Sequence, residues 1–412
     1  MTHAVLVAAA AIAAAWLIAL TLRRLVLLWA SGRASPRPPG DDRELPGVTL
    51  VVAAHNEAEA CPGLLAALEG LQYPSARLAL VLVSDGSTDA TAALFSRWTG
   101  TRNHARTIVL ASRDGKAHAL NEALTAVSTG IVAVLDADMR PRPPYLRELV
   151  RAFSEPLVGG AAGLIHPADA EVNLVTRYAA AETWLHQLVT SLGKDRLGLN
   201  PPTLGASAYR VAALRSIGGF PPVPHGTDVA TSVALTRAGW QTRFTPSAVV
   251  DTGVVRTLGE YWRQHVRWSR GSFTAFRSRA AGEALPASPP GSAPAPARVT
   301  LSRRVDTWIL CASYLDRVML MSAVVLVAAG VLPAWLPAGY LAVPALEAWV
   351  ALRRAGVRRG RRWRYLGSMA VMFPLDAAAS LGAALIHAAG RPARWQSPAR
   401  YTPTPHPPVG GP

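Results

Sequence analysis

Asp136-Ala137-Asp138 is the place in the chain where residue type and spacing most directly suggest chemistry. Two carboxylates at i and i+2 beyond the end of a strand can both reach one divalent ion, and an oxygen-only pair suits Mg²⁺ or Mn²⁺ held partly by substrate phosphates. A motif this short also occurs as a solvated turn, so its weight depends on its company. That company is His55-Asn56-Glu57, Asp85-Gly86-Ser87-Thr88-Asp89, and Gly115-Lys116 with Asn121. An aspartate such as Asp85 accepts hydrogen bonds from a base or ribose, while Gly86 lets the backbone approach a ligand. Lys116 brings a cation, and with Gly115 a helix N-terminus, to the place where phosphates would lie. Asp89 reads as a helix cap rather than a functional group.

The segments that must hold these groups alternate between strand and helix. Residues 48–55, 78–86, 107–112 and 131–138 are short apolar runs, and residues 64–71 and 116–127 show helical apolar spacing. Strands alternating with helices of this length imply βαβ units and a mostly parallel sheet, an α/β fold. Each polar site then falls at a strand end or helix start along one edge, where open α/β sheets bind ligands. Neither G-x-G-x-x-G nor G-x-x-x-x-G-K-[ST] occurs, so a dinucleotide fold and a P-loop are unsupported.

Lys and Arg total 42 against 26 acidic residues, a formal net charge of +16, and Arg353, Arg354, Arg358, Arg359, Arg361, Arg362 and Arg364 crowd one stretch beside apolar segments. Charge so placed favours a membrane-proximal cytoplasmic loop over a nucleic-acid face. With only Cys61 and Cys311, neither a disulfide framework nor a metal–thiolate cluster is available. Residues 4–29 are almost wholly apolar, and their positive charges, Arg23, Arg24, Arg33 and Arg37, follow the apolar core rather than precede it. That order is the reverse of a secretory signal and predicts a retained transmembrane helix, N-terminus outside. Further apolar stretches at roughly 308–332, 335–352 and 366–389 each approach the ~20 residues that a span needs. Pro337, Pro344 and Glu347 make the middle one equally suited to a buried or re-entrant helix. The expected organisation is a transmembrane helix at 1–30, a linker at 31–47, a cytosolic domain at 48–277, a Pro/Ala-rich linker at 278–305, a membrane region at 306–390 with about three spans, and a Pro-rich tail at 391–412.

Taken in order, Asn56-Glu57, Asp85-Gly86-Ser87, Gly115-Lys116-Ala117-His118-Ala119-Leu120-Asn121 and Asp136-Ala137-Asp138 resemble the motifs of the family 2 glycosyltransferases. The closest likeness is to their membrane-integrated branch, which includes cellulose, chitin and hyaluronan synthases and ceramide glucosyltransferases. Gly218-Gly219-Phe220 looks like the family's glycine pair before the acceptor region, and Gln264-His265-Val266-Arg267-Trp268 matches its Q-x-x-R-W motif. The resemblance covers about residues 48–277. One motif departs: where the family has Thr-Glu-Asp ahead of a helix ending in Gly-Trp, this chain has Gly226-Thr227-Asp228 ahead of Gly239-Trp240. Asp228 keeps the position of the catalytic base, and Thr227 replaces the glutamate.

The resemblance implies a GT-A nucleotide-sugar-binding fold and a bacterial plasma-membrane protein with its catalytic domain in the cytosol. It implies a single inverting displacement, in which Asp228 deprotonates an acceptor hydroxyl that attacks a nucleotide sugar, more readily a UDP-sugar. Asn56, Glu57, Asp85, Lys116 and Asp136 are the implied nucleotide-sugar contacts, Asp138 and Asp136 the Mg²⁺ or Mn²⁺ ligands, and Gln264, Arg267 and Trp268 the diphosphate and acceptor contacts. The acceptor is a membrane lipid or a growing glycan, and no nucleic acid is involved. A processive polysaccharide synthase and a lapsed nucleotide-sugar-binding protein are the competing readings, the second resting only on Thr227. His225 and His265 have no second ligand at sequence spacing and read as ordinary polar positions. Asp376, beside Pro374 in an apolar stretch, lines a path or sits at an interface.

Overall fold

The apolar runs become one sheet because their side chains have cores on both faces to enter. The computed structural model describes residues 2–33, 45–223, 225–277, 299–312 and 315–388. The helix α1 (Thr2–Ser31) precedes β1 (Val48–Ala54), α2 (Cys61–Glu69), β2 (Leu78–Asp85), α3 (Thr91–Thr99), β3 (Ala105–Leu110), α4 (Lys116–Thr125) and β4 (Ile131–Asp136). β1 to β4 are parallel, in the order β3-β2-β1-β4. Leu50, Leu80 and Ala133 face Leu64 and Leu68 of α2, while Val51, Val81 and Val132 face Ala119, Leu120 and Ala123 of α4. Strands covered on both faces read as continuous apolar runs, which is why the sequence shows runs rather than alternation. β3 begins and ends two residues before the 107–112 expected for it. Its chain leaves the ladder where Ser112 and Arg113 fold over Gly86, whose φ of +57° and crowded Cβ position admit only glycine.

The chain then adds β5 (Arg140–Pro141), α5 (Tyr145–Val150), β6 (Val158–Pro167) and α6 (Leu174–Leu185), which runs on through a π-turn, His186–Ser191, into α7 (Leu192–Arg196). β7 (Ala206–Arg210), α8 (Val211–Ser216), α9 (Thr227–Arg237), β8 (Gln241–Thr252) and α10 (Leu258–Arg277) complete this part. The sheet continues from β4 as β7-β6-β8-β5, with β7 antiparallel to both its neighbours. The result is a mixed, mostly parallel α/β sheet of eight strands, as expected. The buried amide of Gln187 in the π-turn accepts from Ile165 N at 2.7 Å and donates to Ile165 O at 2.9 Å, so a side chain takes the place of a ladder partner for β6.

The membrane-proximal helices are α11 (Leu301–Ala312), α12 (Leu315–Ala328), α13 (Trp335–Arg354) and α14 (Arg359–Ala388). Among the described residues, Ala4–Ser31, Trp335–Arg354 and Arg359–Ala383 are long and apolar enough to cross a bilayer. α11 and α12 lie in the stretch expected to span at roughly 308–332, of which residues 313 and 314 lie outside the described residues. Asp306 of α11 pairs with Arg23 and Lys194, and Asp316 pairs with Arg317 in the first turn of α12. Glu347, the residue that weakened α13 as a span, is fully buried and bonded to Arg24 at 2.8 Å. The expected linkers lie largely, and the Pro-rich tail wholly, outside the described residues.

The two parts meet at close range. A Cβ on Gly193 of α7 would stand 2.4 Å from the backbone oxygen of Leu27 in α1. Gly193→Ala is therefore expected to push α7 off α1 and cost ~1–3 kcal/mol as overpacking does, read as a lowered thermal midpoint of the full-length protein in detergent. An unchanged midpoint would show that α1 is not seated on α7.

Candidate active site

Parallel strands end together, so the last residues of β2 and β4, Asp85 and Asp136, share one edge with the turn that follows β1. Because β7 runs the other way, it starts at this edge: Leu135 pairs with Ala206, and Asp136 N donates to Gly205 O at 3.1 Å. A Cβ on Gly205 would lie 2.3 Å from Asp136 Oδ2, so glycine at this position is what leaves room for the carboxylate. Arg140 secures the turn from below, donating to the carbonyls of Ala137, Met139 and Ala60. Neither residue stood out in the sequence, since a lone glycine and a lone arginine carry no spacing signal.

The turns along the edge are tied to one another. Asn56 adopts a left-handed φ of 54°, accepts from Thr88 N at 2.7 Å on its side-chain oxygen, and donates its own backbone N–H to Ser87 Oγ at 3.1 Å. Glu57 stands next to it, its N–H donating to Thr91 Oγ1. Asp85 is buried, and its two oxygens accept the N–H groups of Asp114 and Gly115, each at 3.0 Å. Asp85 thereby fixes the loop that aims Lys116, and each oxygen retains a further lone pair. Asp89 lies one residue before the N-cap of α3, Ala90, and is not the cap expected of it: its oxygens accept Thr91 N at 2.9 Å and Ala58 N at 3.1 Å, which ties the start of α3 to the turn after β1. Asn121 exchanges two hydrogen bonds with the backbone of Phe220, at 2.8 and 2.9 Å, and this joins the Lys116 helix to the Gly218-Gly219 turn, where both glycines have left-handed φ.

Lys116 forms an ion pair with Asp136. Burial pulls the Lys116 ammonium down, but Asp136, Asp228 and Asp138 pull it up further, so its pKa ends raised. Asp228 opens α9 behind the left-handed Gly226, and its Oδ1 accepts Val229 N at 2.9 Å. Burial raises the Asp228 carboxyl above the ordinary value against the pull of Lys116. Thr227, in the place of the family's glutamate, is buried. Asp138 forms no ion pair among the described residues, and burial followed by the charge of Asp136 pushes it up to about 6. Two carboxylates this near, with one lysine between them, form a site short of positive charge, and a divalent cation would relieve that deficit.

α10 delivers the remaining residues. Gly271 of α10 and Gly226 meet backbone to backbone, 3.5 Å from the position a Cβ on Gly226 would take. This close approach brings Arg267 among the carboxylates: burial lowers the guanidinium, and Asp136, Asp228 and Asp138 oppose that shift. Gln264 is half-buried, and Trp268, 43% exposed, lies against the His265 ring at 5.0 Å. His265 is not an ordinary polar position, contrary to the expectation from sequence. It is buried on the inner face of α10, stacks on Tyr261 at 3.7 Å and bonds Glu182 of α6 at 2.9 Å. Burial alone would raise Glu182, but the charge of His265 holds it down at about 2, and His265 is raised in turn. Asp376 closes this group: fully buried, it accepts from Tyr261 OH at 3.1 Å and pairs with Arg317 at 3.0 Å. Glu182, His265 and Asp376 could all reach one ion, but Asp376 already accepts from Tyr261 and pairs with Arg317, and Glu182 and His265 bond each other. His225, also buried, is pushed down to about 4 by burial and by Arg267 and Arg270, and so stays neutral.

The structure thus gathers Asp136, Asp138, Asp228, Lys116 and Arg267 and lines Asn56, Glu57 and Asp85 along the same edge. A family profile described as glycosyltransferase like family 2 matches residues 46–271. Over 235 residues the chain is 26% identical to a probable glycosyltransferase of Bacillus subtilis, covering 56% of each protein. It is 28% identical to an N-acetylglucosaminyltransferase of Rhizobium meliloti, over 64% of this chain and 65% of the relative, and 28% identical to a beta-monoglucosyldiacylglycerol synthase of Synechocystis, over 63% and 57%. The chain therefore spans less than two thirds of the length of these relatives. The solved mannosyltransferase of Pyrobaculum calidifontis, in complex with GDP-Man and Mn²⁺, superposes with a TM-score of 0.62 over 94% of this chain and 100% of that one at 22% identity, a likeness of fold, GT-A in type.

Gly205→Ala is expected to displace the Asp136 carboxylate and to lower stability by ~1–3 kcal/mol in thermal unfolding. A neutral substitution would mean that Asp136 is not held against Gly205.

Proposed function

The chain belongs to the glycosyltransferase-like family 2, and from that premise we propose that it is an inverting, metal-dependent transferase that passes a sugar from a nucleotide sugar, a UDP-sugar, to a membrane lipid or growing glycan. The observation that carries the proposal is the gathering of Asp228, Asp136, Asp138, Lys116 and Arg267 in one cleft. Asp228, its carboxyl raised by burial, takes the proton of the acceptor hydroxyl. That oxygen attacks the anomeric carbon from the face opposite the diphosphate. The new C–O bond forms as the bond to the diphosphate oxygen breaks, and the electron pair leaves with the diphosphate. Lys116 and Arg267 face the charge that develops there. Asp138, with Asp136 beside it, would hold Mg²⁺ or Mn²⁺, which when bound neutralises charge on the leaving diphosphate. Asn56, Glu57 and Asp85 frame the nucleoside side of the cleft, and Gln264 and Trp268 the acceptor side.

A lipid acceptor is supported by the likeness to the glucosyldiacylglycerol synthase and by the candidate spans beside the cleft. The ends of α1 and α13 lie together, Arg354 donating to Ser31 Oγ at 2.8 Å, and the arginines there favour a cytosolic catalytic domain at a bacterial plasma membrane.

The test is transfer by the full-length detergent-solubilised protein from radiolabelled UDP- and GDP-sugars to membrane lipids with Mg²⁺ or Mn²⁺. Asp228→Asn is expected to lower kcat by ~10²–10⁴ with donor binding retained, and Asp138→Ala to abolish the metal dependence. Full activity of Asp228→Asn would remove the proposed base. Because a proton competes with the cation for Asp138, Mn²⁺ affinity measured by calorimetry is expected to fall by about tenfold per pH unit below about 6 and to level off above it. A flat profile from pH 5 to 8 would exclude Asp138 as a ligand.

A further inference from the structure

α10 carries Arg267 into the cleft, yet the guanidinium has no bond of its own there. Among the described residues Arg267 forms no hydrogen bond and no ion pair. Its place is therefore set by the helix backbone that bears it. Residues two apart on a helix point about 200° from each other, and residues four apart share a face. The face turned away from Arg267 carries His265 and, one turn back, Tyr261. Both are buried and bonded to other elements: Tyr261 OH donates to Asp376 of α14 at 3.1 Å, and His265 bonds Glu182 of α6 at 2.9 Å. A third hold is the backbone approach of Gly271 to Gly226. Arg267 lies between the second hold and the third.

The His265 hold differs from the others in its charge. Nδ1 lies 3.0 Å from Tyr261 O, and Nε2 lies 2.9 Å from Glu182 Oε2. A carbonyl and a carboxylate can only accept, so both ring nitrogens donate, and a ring with two N–H groups is an imidazolium. This cation stacks on the Tyr261 ring at 3.7 Å, and the Trp268 ring packs on it at 5.0 Å. Arg317 of α12 and Asp376 of α14 stand near as well, but they pair with each other at 3.0 Å, so Glu182 is the carboxylate that answers the imidazolium. Removing either charge strands the other away from water, and the strain falls on the contact between α6 and α10.

We propose that His265 is a positioning residue for sugar transfer: held as a buried cation by Glu182, it fixes the turn of α10 that presents Arg267 to the leaving diphosphate. The same ring steadies Trp268. The inference rests on the reading of Arg267 as a diphosphate contact. Within Q-x-x-R-W, the position after the glutamine serves this purpose because it faces α6 while the arginine faces the cleft.

A double-mutant cycle between His265→Gln and Arg267→Ala in the full-length detergent-solubilised protein tests this. It is read both as kcat for transfer and as affinity for UDP and GDP with Mn²⁺ by calorimetry, whose stoichiometry counts the folded protein in each variant. His265→Gln alone is expected to lower kcat by about tenfold to a hundredfold, the order that a misplacement of about 1 Å costs, and to weaken the nucleotide by about fivefold. In the Arg267→Ala background it is expected to cost nothing further in either reading, because its effect passes through Arg267. Glu182→Gln, which removes the charge and keeps the shape, is expected to reproduce His265→Gln, and the two together to be no worse than either. The nitrogen-15 signals of the His265 ring, identified by their loss in His265→Gln, are expected in the imidazolium range at pH 7. Neutral-imidazole signals, full additivity with Arg267→Ala, or a His265→Gln effect confined to the thermal midpoint would overturn the assignment. Wild type that binds nucleotide and transfers no sugar would count against the transfer reading alone, and the affinity cycle would still decide the role of His265.

Discussion

Asp136, Asp138 and Asp228 face one partly buried cleft, and Lys116 and Arg267 are the cations that oppose them. Like charges in a low-dielectric site repel strongly, so such an arrangement persists only if the backbone holding it cannot relax. Much of the local structure serves that end. Gly205 leaves space beside Asp136, Arg140 binds the carbonyls of the turn, Asp85 holds the loop that aims Lys116, and the Gly226–Gly271 approach brings Arg267 in. Burial first, and the charge of Asp136 after it, raises Asp138 and Asp228, which suits a cleft that receives a cation and a proton-bearing hydroxyl.

The second constraint is the attachment of this cleft to the membrane-proximal helices. α10 carries Arg267 on one face and His265 and Tyr261 on the other. From that inner face a chain of buried contacts runs through Glu182, Asp376, Arg317 and Asp316 to Arg24 and Glu347, with Arg24–Asp316 at 3.5 Å and Arg24–Glu347 at 2.8 Å. Buried ion pairs add little net stability, yet loss of one partner strands a charge at a cost of about 3–5 kcal/mol. They are therefore suited to fixing geometry. They fix the Q-x-x-R-W helix against α1, α12, α13 and α14, which accounts for carboxylates within apolar segments at Asp376 and Glu347.

Linear spacing alone determined the parallel half of the sheet, the strand-end position of Asp85 and Asp136, the D-x-D, and the α1, α13 and α14 candidate spans. Each of these follows from local rules: apolar runs for doubly covered strands, polar residues where strands stop, and charge order around an apolar core. The family likeness pointed to Asp228 and Arg267 by register. Only the tertiary structure decided that Gly205 must be glycine, that His265 is an ion-pair partner of Glu182, and that Asp376 belongs to a buried network. These depend on residues tens to hundreds of positions apart coming within a few ångströms, and a sequence records no such distance. The antiparallel β7 shows the reason most plainly, because its reversal sets Gly205 beside Asp136 and nothing in the residues themselves announces which way that strand will run.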